Sequence, residues 1–63
     1  MRINRIKLVT ELARRDMTQR RLAELAGVSR STINYIKSGK SSSDEVGTKI
    51  AEALGVDVTE IIE

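Results

Sequence analysis

The 63-residue chain contains no cysteine, histidine, proline, phenylalanine or tryptophan, and a single tyrosine, Tyr35. Without cysteine there is no disulfide, no thiolate nucleophile and no thiolate metal site. Without histidine, the usual general base and the commonest nitrogen ligand for metals are missing as well. The acids are spread along the chain rather than clustered. Ser41 to Ser43 belong to no glycine-rich loop ending in Lys-Ser/Thr, so they read as a cap and a loop, not a phosphate cradle. No catalytic residue, metal or cofactor is expected. Long apolar runs are lacking too. None approaches the roughly 20 residues of a membrane span, and the N-terminus has no apolar signal-peptide core. A cytoplasmic, soluble domain occupying residues 1–63 is the expectation. At this length only about 60% of the unfolded surface can be buried, so the core must be small.

The formal net charge is only +2, but the charges are divided along the chain. From Met1 to Lys40, ten Lys/Arg face three acids, a balance of +7. From Ser41 to Glu63, Lys49 alone faces six acids, a balance of −5. Such a molecule turns a basic end toward a polyanion and keeps an acidic end away.

Strand-type alternation is absent, and apolar residues recur at three- and four-residue spacings, which predicts an all-helical fold. The first helix spans about Asn4 to Arg15, with Ile6, Val9, Leu12 and Ala13 on its buried face and Ile3 extending the stripe. Thr18 caps the second helix, and Met17 staples onto Leu22. Leu22, Leu25 and Ala26 face inward, and Gly27 ends the helix. The device repeats at once: Val28 precedes the cap Ser29 and staples onto Ile33, and Gly39 follows the helix end. Two short helices thus share one glycine-bearing turn, the spacing of a helix-turn-helix. The loop "KSSSDE" leads into a fourth helix through a capping box of Ser42 and Glu45, with Ser43 as the rival cap. Val46, Ile50, Ala53 and Leu54 form its stripe and Gly55 closes it. Gly47 inside it costs about 1 kcal/mol relative to alanine, which points to close helix packing there. A last short helix starts near Asp57, with Glu60 three residues on, and carries Val58, Ile61 and Ile62.

Taken together, "TQRRLAELAGVSRSTINYIKSG" resembles the helix-turn-helix of the phage repressor and Cro family, also called the xenobiotic-response-element family. The resemblance continues through "KIAEALGVDVTEII" and so covers most of the chain. It implies a five-helix, lambda-repressor-like bundle that binds double-stranded DNA, with the third helix entering the major groove by its N-terminal end.

On a helical wheel, Ile33 and Ile36 define the buried direction of the third helix. Ser31, Asn34, Tyr35 and Ser38 point away from it, with Arg30 and Thr32 on the flanks. Asn bonds bidentately to adenine, Arg to guanine, and Ser to either, so this face has base-reading chemistry. Arg30, Ser31 and Tyr35 match the family's base-reading positions, with Asn34 beside them. Tyr35 is equally suited to partial burial against a neighbouring helix. Gln19 matches the family's backbone-bonding residue on the second helix, and Arg20, Thr32, Lys40 and Ser41 are further phosphate-contacting candidates. Arg20 and Arg21 cannot face the same way, so one of them is simply solvated. Arg2, Arg5, Lys7, Arg14 and Arg15 are expected to contribute field rather than specific bonds.

Two departures from the family pattern stand out. Lys37 occupies a position where the family often has a glutamate paired to a first-helix arginine. Here the facing residue is expected to be Leu12 or Ala13, and Glu11 is the candidate partner of Lys37 in reversed polarity. The loop "KSSSDE" also lacks the arginine that some relatives send into the minor groove. The resemblance implies a transcriptional regulator, most often a repressor. It would act as a homodimer on a palindromic operator at the nucleoid, with Val56, Val58, Ile61 and Ile62 as the dimer patch. The alternative is a protein-interaction module, an antirepressor or antitoxin that uses the same helix-turn-helix surface on a protein partner.

Overall fold

The computed structural model describes every residue from Met1 to Glu63. It contains α1 (Arg5–Arg14), α2 (Gln19–Ala26), α3 (Arg30–Lys37) and α4 (Asp44–Leu54), followed by a one-turn 3-10 helix, Val58–Glu60. The fold is all-α, as expected, but the fifth element is a single turn rather than a full helix. No helix is long and apolar enough to cross a membrane.

Each helix begins where a short polar side chain replaces a missing backbone acceptor. The side-chain oxygens of Asn4, Thr18, Ser29 and Ser43 accept from the backbone amides of Lys7, Arg21, Thr32 and Val46. The cap of α4 is therefore Ser43, not Ser42. The Ser42 amide is committed elsewhere: it donates to the Met1 carbonyl at 2.8 Å, while the Met1 ammonium donates to the Ser42 carbonyl at 2.7 Å. Asp57 and Glu60, the pair read at the start of the last turn, form a capping box there.

Three helix ends share one mechanism. The amides of Met17, Val28 and Val56 reach back five residues to the carbonyls of Leu12, Ala23 and Ala51, the Schellman arrangement. It requires a left-handed residue just past the helix. Gly27 supplies it after α2 at φ 71°, while after α1 the position is filled by Asp16 at φ 49°. Aspartate is one of the few side chains that tolerate this region. The same motif tucks Met17, Val28 and Val56 against the core.

The core is a cluster of twelve buried residues drawn from all the elements except the 3-10 turn: Ile3 before α1, Leu8 and Leu12 of α1, Leu22, Ala23 and Ala26 of α2, Ile33 and Ile36 of α3, Ile50, Ala51 and Leu54 of α4, and Ile61 after that turn. The face expected for α1 is corrected. Ile6 and Val9 are 70% and 43% exposed and Ala13 is exposed, whereas Leu8 and Leu12 are buried. Apolar residues at 6, 8, 9, 12 and 13 describe two overlapping stripes, and the chain ends choose between them. Ile3 forms a bridge with Ile62, the Asn4 amide donates to the Ile61 carbonyl at 2.8 Å, and the Glu63 amide donates to the Arg2 carbonyl at 3.0 Å. This pairing sets the roll of α1 about its axis. Leu25 is likewise corrected, being 46% exposed, because α2 packs through the small Ala23 and Ala26 instead. The close neighbour of Gly47 is not a helix but a flexible side chain: a Cβ there would overlap the thioether of Met1, which would have to shift.

Glu11 does not pair with Lys37. Its carboxylate accepts from Arg15 at 2.6 Å and from Arg14 at 3.1 Å. The Arg15 hydrogen bond, reinforced by the charge of Arg14, holds Glu11 below its ordinary 4.5. Asp57 is held below its ordinary 3.8 by the Thr59 amide and hydroxyl. A carboxylate with a depressed folded-state pKa stabilises the fold fully above its ordinary value, and loses that contribution as pH falls through the folded value. Thermal melts should therefore be flat above pH 4.5 on account of these two groups and should fall below it. Glu11→Gln together with Asp57→Asn should lower the neutral-pH melting temperature and shallow the acid decline. An unchanged acid slope in that double variant would contradict the assignment.

Candidate nucleic-acid interface

The turn between α2 and α3 orients everything that follows. Gly27 reverses the chain, Val28 seals the turn against the core, and Ser29 at once restarts a helix. With Ile33 and Ile36 buried at 0% and 1%, the inward side of α3 is set by its packing. Its opposite face is thereby presented to solvent: Arg30, Ser31, Asn34, Tyr35 and Ser38 are all exposed. Tyr35, open in the sequence to either reading, is 55% exposed and lies on that face.

The polar groups of this face differ in how committed they are. Arg30, Ser31 and Asn34 make no side-chain hydrogen bond within the protein, whereas the Ser38 hydroxyl donates to the Tyr35 carbonyl at 2.6 Å. Thr32 is half-buried, and its hydroxyl lies 2.9 Å from that of the cap Ser29, so one of its hydrogen-bonding directions is already used. The pair Arg20 and Arg21 resolves clearly. Arg21 reaches Glu24 at 3.5 Å, while Arg20 is exposed and unpaired. Gln19 is half-buried at the first position of α2. Because the Thr18 hydroxyl takes the Arg21 amide, the amides of Gln19 and Arg20 remain as free donors at a positive helix terminus. Lys40 and Ser41 are exposed in the loop after α3.

Sequence reasoning missed the residues that hold that loop. Arg2 Nε donates to the Gly39 carbonyl at 3.0 Å, and Met1 and Ser42 exchange backbone hydrogen bonds. The N-terminal segment thus braces the loop carrying Lys40 and Ser41, and Arg2 is a positioning residue rather than one cation among many. No local pattern signals this, since the partners stand 37 and 41 residues apart.

The residues expected to form a dimer patch are divided by the fold. Ile61 is fully buried in the monomer core and leaves the patch. Val56, Val58 and Ile62 are half-buried and keep an accessible edge.

Comparison with known proteins bears on this arrangement directly. The helix-turn-helix family profile matches residues 10–61. The chain belongs to the helix-turn-helix family, of the phage repressor and Cro type. Among characterised relatives, it is 46% identical over 50 residues to the HTH-type transcriptional regulator PrtR of Pseudomonas aeruginosa. That match takes in 79% of this chain and 20% of PrtR, so the chain spans about a fifth of that relative's length. Among solved structures, it superposes over its whole length on 14% of PhpD with cadmium atoms, at a TM-score of 0.85 and 27% identity. A second PhpD structure, with cadmium and complexed with hydroethylphosphonate, gives a TM-score of 0.84 with the same coverage and identity. The helix-turn-helix module is thus a small part of both larger proteins.

Proposed function

We propose that residues 1–63 form a sequence-specific double-stranded DNA-binding unit of a transcriptional regulator, acting in the cytoplasm at the nucleoid and most often as a repressor. The observation that carries this reading is the outer face of α3. Four side chains capable of base recognition, Arg30, Ser31, Asn34 and Tyr35, are exposed there, and none of them is engaged in a side-chain hydrogen bond within the protein, the one bond at Tyr35 being to its backbone carbonyl. Arg20 and Lys40, exposed and unpaired, are the flanking cations, and Gln19, Thr32 and Ser41 add polar contacts to the phosphates. An α-helix of these dimensions fits the major groove, where each base pair displays a distinct pattern of donors and acceptors. The name of PrtR and the family membership support the same reading.

The unit binds as a homodimer on a palindrome, with half-sites about 34 Å apart. Each α3 then lies about 17 Å from the dimer axis, half the spacing of one DNA turn. A domain measuring 25 × 21 × 18 Å meets that only if the interface is remote from α3. Val56, Val58 and Ile62 supply it. The alternative, docking of an antirepressor-type or antitoxin-type partner on the same surface, is disfavoured by a face that is polar with a basic flank rather than apolar or acidic.

Selection of bound duplexes from a random pool tests the proposal. An enriched palindrome supports both halves of it, and a pool that stays random overturns sequence-specific binding. On the selected site, Arg30→Ala should cost about 1–3 kcal/mol and relax preference at one base position, whereas Lys40→Ala should weaken all sequences equally. Identical behaviour of the two variants in a competition assay would remove the distinction between reading and positioning residues.

A further inference from the structure

Beside the outer face of α3 lies a shallow groove of about 370 Å³, lined by Arg5, Ile6, Val9 and Thr10 of α1 and by Lys37 of α3. Three observations set it apart. Ile6 and Val9 are two of the four large apolar side chains that the domain exposes, and they sit one turn apart in the same groove. Its two charged residues, Arg5 and Lys37, are both cations, and neither makes an ion pair, although Glu11 close by engages Arg14 and Arg15. Finally, Arg5 is the first residue of α1, whose first turn contains no acid. A cation there opposes the helix dipole, a mildly unfavourable placement that a nearby anion would relieve.

We propose that this groove between α1 and α3 docks an acidic, amphipathic segment of a partner protein. Its aliphatic side chains cover Ile6 and Val9, and its carboxylates meet Arg5 and Lys37. The charge complementarity excludes a basic partner, and the aliphatic floor favours a peptide over a phosphate backbone, which offers Ile6 and Val9 nothing. The domain's own acidic and apolar stretch, Val58–Glu63, cannot serve from a second folded copy. Ile61 is buried, and Val58 and Ile62, with their accessible edges, are already assigned to the dimer interface.

The test selects short peptides from a random displayed library on the intact chain, then titrates the enriched peptide into isotope-labelled protein. Enriched sequences should combine Asp or Glu with aliphatic residues, and amide shifts should centre on Arg5 to Thr10 and on Lys37. Lys37→Glu should weaken binding by about tenfold, with Lys37→Met intermediate, as expected when an exposed ion pair is reversed or deleted. Ile6→Ser, at a site whose side chain is largely in water, should weaken the peptide without lowering the melting temperature. The proposal fails if no acidic peptide is enriched, if the shifts fall on the outer face of α3 instead, or if Lys37→Glu binds as well as the parent. It also fails if duplex DNA perturbs the Arg5, Ile6 and Val9 amides while the peptide does not, which would make the groove a phosphate contact.

Discussion

Ile33→Ala is expected to cost about 2–5 kcal/mol of folding stability, while the chemically identical change Ile6→Ala should cost no more than about 0.5 kcal/mol. Ile33 is fully buried within a core of only twelve residues, and it is one of the two residues that α3 contributes to that core. Deleting its side chain removes transfer free energy and leaves a cavity that so small a core has few atoms to refill. A 63-residue domain has a total stability of only about 3–9 kcal/mol, so the loss is a large share of the whole. At about 4–8 °C per kcal/mol, the midpoint of a circular-dichroism melt should fall by at least 8–10 °C. Ile6 is 70% exposed and serves as the control. Equal losses in the two variants would mean that α1 is rolled toward the other of its two apolar stripes. Ile33→Ala should also weaken DNA binding, through loss of the fixed α3 face rather than of any contact to a base.

The second large effect is on affinity. If Arg20 and Lys40 of each protomer neutralise one phosphate each, a dimer releases counterions from four. The logarithm of the association constant should then fall with that of salt at a slope of about −3.6, and a fourfold rise in salt should lower affinity by roughly 150-fold. Filter binding or fluorescence anisotropy on a random duplex, which isolates the sequence-independent part, measures this directly. Arg20→Ala and Lys40→Ala should each reduce the slope by about 1.8 for the dimer. Loss of the slope in Arg21→Ala but not in Arg20→Ala would reverse the roles given by the Arg21–Glu24 pair, and a flat salt dependence would remove the electrostatic basis of the interface.

The middle of the chain was the most legible from its residues. The caps Thr18 and Ser29, the turn at Gly27, and the buried Leu22, Ala26, Ile33 and Ile36 were all readable, because each follows from chemistry within a few residues: a hydroxyl meeting an amide three positions on, a left-handed position, a repeat of three and four. The start of the last turn near Asp57, with Glu60 three residues on, was readable for the same reason. Legibility failed where two local solutions were about equally good. Ser42 and Ser43 both suit a cap, and Ser43 is used because Met1 occupies the backbone groups of Ser42. The first helix offered two stripes, and Glu11 had cations on its own helix within reach as well as Lys37.

What the sequence determined by itself was therefore the helical class, the helix-turn-helix at its centre and the polar character of the α3 face. These depend on interactions between near neighbours, whose geometry the helix period dictates. Tertiary structure decided the rest. It turned Leu8 inward beside Leu12 and left Ile6 and Val9 outside, took Ile61 into the core, placed Tyr35 in solvent, and made Arg2 and Met1 the brace of the loop bearing Lys40. The roll of α1 and the burial of Ile61 go with the pairing of the two chain ends at Ile3 and Ile62, a contact across nearly the whole sequence. Local periodicity carries no trace of such a contact, because its free energy comes from apolar surface and backbone hydrogen bonds that exist only once the helices have packed.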